Sequence, residues 1–267
     1  MRIQRGTRAV VTGASRGIGR ALSTELAGRG ARLGLVARGK EGLEDLAVEL
    51  PASPDGPHAT AAADVSKWGQ TSRAIDRLAK RLGGIDLLVA NAGVLHYGPF
   101  IEQEIEEAEA MVRVNVFGTL YTLKAALPHM LAGRAGHIVV MSSAAGLRSF
   151  PWGAVYGGTK AFDRGLAEAL RHELAATGIS VTTVYPGEYG TTILDHQRDR
   201  LPAWRTNEEE RPVSELVDAI VEGIEDDHRA VYAPPAVRVL GLSGIAPRLT
   251  DQILTRVRGR SAAPRPD

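Results

Sequence analysis

The feature that most constrains this chain is an alternation. Apolar runs too short for helices recur between stretches long enough to be helices. RAVVTG (residues 8–13), RLGLVA (32–37), IDLLVA (85–90), GHIVVMS (136–142) and ISVTTVYP (179–186) read as buried strands. HATAAADV (58–65) is a weaker sixth candidate. Between them lie amphipathic stretches such as GRALSTELAGRG and QTSRAIDRLAKRLGG, the latter with Ile75, Leu78 and Leu82 at helical spacing before a glycine stop. Strands joined by helix-length crossovers cannot be hairpins, so the pattern predicts an α/β fold, a doubly wound parallel sheet with helices on both faces.

Residues 101–131 read as one long helix or two, with Pro128 as a kink or stop. The acidic opening of that stretch, EQEIEEAEA, suits a solvated face at a positive helix N-terminus. From 188 to about 212 the periodicity is lost, and an irregular segment of that length in an α/β domain suggests a lid over a site. The expected organisation is one unit over residues 1–235, lid included, followed by a C-terminal extension, 236–267.

Composition narrows the partners. The 267 residues carry 32 basic and 31 acidic side chains, a formal charge of +1, so no global field draws the chain to nucleic acid. There is no cysteine, which excludes disulfides and thiolate metal sites and fits a reducing, cytoplasmic setting. Glycines interrupt the first residues before a signal-peptide core can form, and no apolar run approaches the roughly 18 residues of a membrane span.

TGASRGIG (12–19) directly follows the first strand and opens the first helix. Gly13, Gly17 and Gly19 would let the backbone turn tightly and approach a pyrophosphate, with Ser15, Arg16 and Ile18 between them, while the helix N-terminus offers free N–H groups. Its place between strand and helix suggests the cofactor turn of a Rossmann-like domain; a tight βα turn without a ligand is the alternative. The second strand ends in Ala37-Arg38, where an NAD site would carry an acid for the ribose 2′-hydroxyl. Arg38 with Arg16 could instead clamp a 2′-phosphate, which favours NADP(H); NAD(H) is the alternative, with both arginines as ordinary surface cations.

YGGTK (156–160) sets Tyr156 and Lys160 on one helix face. A free tyrosine of pKa ~10 is about one part in a thousand ionised at neutral pH, and a neighbouring ammonium favours the phenolate. Thirteen residues upstream, Ser143 ends a predicted strand, where open parallel sheets bind ligands. Ser142 is adjacent, and alternation along a strand lets only one of the two face a ligand.

Together these motifs resemble the short-chain dehydrogenase/reductase family, in the form about 250 residues long, over roughly residues 5–233. The resemblance extends to Asp64-Val65 as the adenine contact, to Asn91-Ala92-Gly93, to Asn115 in VRVNVFG, and to Pro186-Gly187 with Thr191 beside the nicotinamide. It implies hydride transfer between NADP(H) and a small or lipid-like alcohol or carbonyl compound. Tyr156 would be the acid/base, Ser143 (chosen over Ser142 by the family spacing) would hold the substrate oxygen, Lys160 would lower the tyrosine pKa and bind the ribose, and Asn115 would hold a relay water. A homodimer or homotetramer paired through the long helices is implied as well. Ala90, Glu188 and Tyr189 depart from the usual family residues, the last two at the substrate mouth.

Other residues allow looser readings. His137 and His172 suit structural or solvated roles. Phe150 and Trp152 either line the site or pack between strand and helix; Trp204 either contacts substrate or plugs the lid. Six arginines against two aspartates follow residue 235, and from Pro247 Leu249, Ile253, Leu254 and Val257 share one helix face. Such a helix either docks on protein or makes peripheral contact with an anionic membrane.

Overall fold

The computed structural model describes residues 1–201 and 210–244. Seven strands form one parallel sheet in the order β3-β2-β1-β4-β5-β6-β7. They are β1 (Arg8–Thr12), β2 (Arg32–Ala37), β3 (Ala59–Ala62), β4 (Leu87–Ala90), β5 (Gly136–Met141), β6 (Ile179–Pro186) and β7 (Ala230–Ala233). The weak sixth candidate is therefore a strand, β3. The seventh, β7, extends the sheet beyond β6 in register, from Thr183 opposite Ala230 to Pro186 opposite Ala233.

Helices fill the crossovers: α1 (Gly17–Gly28), α2 (Glu41–Glu49), α3 (Trp68–Leu82), α4 (Ile105–Met111), α5 (Gly118–Gly133), α6 (Ala144–Leu147), α7 (Ala154–Glu173) and α8 (Val213–Glu225). Strand alternation sorts the core into two layers. Val11, Leu35, Val89 and Val139 meet Leu22 and Leu26 of α1, Leu43 of α2 and Ile220 of α8. Their sequence neighbours Val10, Val36, Leu88 and Val140 meet Ile75 and Leu78 of α3, Met130 of α5 and Ala167 of α7. Each fully buried aliphatic side chain of this kind contributes roughly 1.5–3 kcal/mol. Both faces of the sheet are covered, which is why its strands read as unbroken apolar runs.

The long helical stretch divides, though not at Pro128. The α-helical hydrogen-bonding pattern changes at Val112–Phe117, a π-helical segment between α4 and α5, and α5 continues through Pro128 to Gly133. Pro128 and Lys124 are both exposed, so water can take the Lys124 carbonyl that proline leaves without an N–H. At the other end of the chain a 3₁₀ helix (Pro235–Gly244) follows β7. The predicted C-terminal amphipathic helix and Trp204 lie outside the described residues.

The chain runs outward from β1 through β2 to β3, then returns to the other side of β1 as β4. The crevice where this order switches, beyond the carboxyl ends of β1 and β4, is where open α/β sheets hold ligands.

Candidate active site

That crevice is a cleft of about 710 Å³. Its floor begins at the β1 turn. Gly13 and Gly17 have positive φ values of 67° and 54°. A Cβ on Gly13 would sit 2.9 Å from both the Ala92 Cα and the Asn91 Nδ2, and one on Gly19 would run into the Gly13 carbonyl. Only glycine fits at either place. Thr12 stitches this turn to the segment after β4: its hydroxyl accepts from the backbone N–H of Asn91 and Ala92, and the Asn91 carboxamide donates to the Thr12 carbonyl at 2.9 Å.

Helix α1 begins here with no side-chain cap at Arg16, so its first N–H groups open toward the cleft. Arg16 and Arg38 are exposed on the cleft wall, and neither has a carboxylate partner among the described residues. Asp64 and Val65 line the same wall; an Asp64 carboxylate oxygen accepts from the Ser66 N–H at 2.9 Å. This end therefore offers uncapped amides, two cations and a glycine surface without Cβ atoms, a donor set that fits a phosphorylated dinucleotide.

At the other end, Ser143, Tyr156 and Lys160 converge. Ser142 and Ser143 part as strand alternation requires. The Ser142 hydroxyl donates to the Lys160 carbonyl at 2.8 Å and is buried, whereas Ser143 shares a hydrogen bond with the Tyr156 phenol. Ser143 also caps α6, accepting from the Ala145 N–H. The Lys160 ammonium lies 6.0 Å from the Tyr156 ring centre. It donates to the Met141 carbonyl at 2.7 Å and to Asp163 Oδ2 at 2.9 Å.

The electrostatics differ from the expectation that Lys160 prevails. Burial holds the Tyr156 phenol above its ordinary range. Lys160 and Ser143 pull it down, but Glu188 and Asp163 push it up. Burial likewise opposes the Lys160 charge, yet Asp163 and Tyr156 hold its ammonium above the usual lysine value.

Of the residues singled out in the sequence, Gly19 and Asn115 do not line the cleft. Asn115 is fully buried behind it, in the π-helical segment. Its carboxamide accepts from the Val94 N–H and donates to the Val94 carbonyl and the Thr159 hydroxyl. Phe150 lines the cleft; Trp152 does not, and packs into the apolar cluster around Tyr97 and Tyr156. His137 is a buried residue of β5, its ring bonded to Thr182 of β6. No group of three or more acidic or histidine side chains suited to a metal occurs among the described residues.

Pro186 ends β6 and Gly187 follows it, and Thr191 leads into a 3₁₀ segment (Thr192–Arg200), broken by non-helical backbone at Gln197, whose first residues line the cleft. Sequence reading missed what latches it. Gln197, in a segment without periodicity, is buried: its carboxamide accepts from the Tyr97 N–H and donates to the Leu95 carbonyl, both at 2.8 Å. Leu194 packs beside it against Tyr97 and Tyr156. Asp163 was also missed, because a single acid on a helix reads as solvated.

Known proteins place this architecture. A sequence model of the short chain dehydrogenase family matches residues 7–202. An uncharacterized oxidoreductase of Listeria innocua is 38% identical over 193 residues, covering 72% of this chain and 77% of that one. Among solved structures, a short chain dehydrogenase of Burkholderia cenocepacia in complex with NADP superposes with a TM-score of 0.78 at 28% identity, over 96% and 99% of the two chains. A short chain dehydrogenase/reductase of Burkholderia phymatum in complex with NAD reaches 0.81 at 26% identity over the whole of both chains. Fold, motif order and relatives agree, and the chain is an oxidoreductase belonging to the short-chain dehydrogenase/reductase family.

Proposed function

We propose that this protein interconverts a hydroxyl and a carbonyl group with NADP(H), using Tyr156 as the proton donor and acceptor. The observation that carries this reading is the cleft's polarity. Uncapped α1 amides, Arg16 and Arg38 stand at one end, and Ser143, Tyr156 and Lys160 at the other. When bound, the nicotinamide supplies or accepts the hydride. Tyr156 gives its proton to the substrate oxygen during reduction and takes it back during oxidation. Ser143 holds that oxygen in line and stabilises the charge growing on it. Lys160 binds the ribose and favours the phenolate. Asn115, which the family resemblance assigns to a relay water, has its carboxamide held by Val94 and Thr159.

The absence of an acid at the end of β2, together with Arg16 and Arg38, which have no carboxylate partner among the described residues, supports NADP(H) over NAD(H). Around Tyr156 the cleft is lined by Leu95, Tyr97, Phe150, Ile193, Leu194 and Val237, which suits a small hydrophobic or lipid-like substrate. Phe100, Ile101, Ile105 and Phe117, on and just before the α4–α5 stretch, are exposed and support pairing of copies through these helices.

The test combines fluorescence titration with NADPH and NADH and a panel of aliphatic and aromatic aldehydes, ketones and alcohols, followed by cofactor absorbance. Tighter NADPH binding and turnover of an apolar carbonyl are expected. Tighter NADH binding would overturn the cofactor assignment, and turnover confined to polar, charged compounds the substrate assignment.

A further inference from the structure

We propose that Asp163 is a positioning residue of the reaction: through a buried ion pair it fixes the Lys160 ammonium against the β5 strand end and tempers its pull on Tyr156. The inference rests on the reading of Tyr156 as proton donor and deepens it. An ammonium has three N–H bonds, and in this protein two are taken, by the Met141 carbonyl at 2.7 Å and Asp163 Oδ2 at 2.9 Å. One remains for the cleft. Lys160 is therefore aimed as well as charged.

Asp163 lies one helical turn beyond Lys160 and has no exposure at all. The Thr119 hydroxyl of α5 also faces the carboxylate and favours its charge, though no donor reaches Oδ1 with good hydrogen-bond geometry among the described residues. A buried ion pair is a poor way to gain stability, because desolvation offsets the attraction and an apolar pair would serve as well. Its position, in contact with the Lys160 ammonium beside the phenol, gives it a chemical use. The groups facing Tyr156 are Lys160 and Asp163 from α7, Ser143 from the end of β5 and Glu188 from beyond β6, with Arg148 also on the cleft wall. Of the two acids, Asp163 alone touches the ammonium. With its charge in place the phenol keeps its proton and stands ready as an acid, which suits carbonyl reduction.

The test needs no substrate. With saturating NADP⁺, the phenolate absorbance of Tyr156 is isolated as the difference between a protein and its Tyr156→Phe counterpart and followed against pH, with and without Asp163→Asn. Loss of the carboxylate is expected to move the titration to lower pH, raising the phenolate fraction about threefold or more at a fixed pH on the rising limb. Asp163→Glu, which keeps the charge, should restore most of the wild-type curve. If Asp163→Asn does not fold, Asp163→Ser, small enough to admit a water, carries the same expectation. A curve that overlays wild type while melting temperature falls would overturn the proposal and leave Asp163 a structural partner only. Failure of the underlying reading looks different: Tyr156→Phe would then keep its turnover of the panel carbonyl compounds.

Discussion

Adjacent serines with opposite assignments offer a sharp test. The Ser142 hydroxyl donates to the Lys160 carbonyl at 2.8 Å from a buried position, so Ser142→Ala removes a buried hydrogen bond while the carbonyl keeps its partner within α7. The cost of such a bond is about 0.5–1.5 kcal/mol. In a domain of this size that lowers the melting temperature by roughly 1–6 °C. Turnover should change only a few-fold, because the Ser142 hydroxyl points away from the phenol. Ser143→Ala removes the cap on the Ala145 N–H, worth about 0.5–1 kcal/mol at the end of a four-residue helix. It also removes the hydrogen-bonding partner of Tyr156 and of the substrate oxygen. Loss of one such donor lowers kcat by about 10²–10³-fold. Thermal melts and steady-state reduction with NADPH on both variants decide the matter. Equal loss of turnover in the two, or a larger loss in Ser142→Ala, would refute the division of labour.

Arg38→Asp places a carboxylate where a 2′-phosphate would lie; NADPH affinity should fall at least about tenfold and NADH affinity rise in direct titration, and unchanged affinities would remove Arg38 from the site. His137, kept neutral by burial with its pKa pushed down to about 4, gives stability a pH dependence. Between that value and the ordinary 6.5 the unfolded chain binds a proton that the folded chain does not, so stability falls as pH drops through this window, by up to about 3 kcal/mol. Denaturant midpoints from pH 7 to 4.5 should slope less steeply in His137→Gln, and parallel slopes would contradict the assignment.

Where sequence and structure part, the reasons are physical. The strands were legible because both faces of the sheet are covered, which leaves unbroken apolar runs such as LLVA and IVV. At the edge of the sheet β7 has a four-residue run, AVYA, with an intermediate–buried alternation too brief to stand out. Pro128 does not stop α5, and its exposed face lets water take the carbonyl that the missing N–H leaves free, which reduces the cost of a proline inside a helix. Most residues lining the cleft belong to motifs whose spacing follows strand ends, whereas Gly19 and Asn115, named from the same motifs, lie off it. Asp163 and Gln197 were not, since what distinguishes each is a partner: Lys160 for one, the backbone of Leu95 and Tyr97 about a hundred residues away for the other. Neither polarity nor periodicity encodes the second pairing; the first has the i,i+3 spacing of a helix pair, and what the sequence leaves out is its burial.

The central claim is that Tyr156 moves the proton while hydride is exchanged. It is tested most directly by single-turnover reduction of a panel carbonyl compound by NADPH in wild type and Tyr156→Phe, with NADPH affinity measured in parallel. The account predicts unchanged cofactor affinity and loss of nearly all turnover in the variant. Turnover within a few-fold of wild type, at the same NADPH affinity, would contradict it.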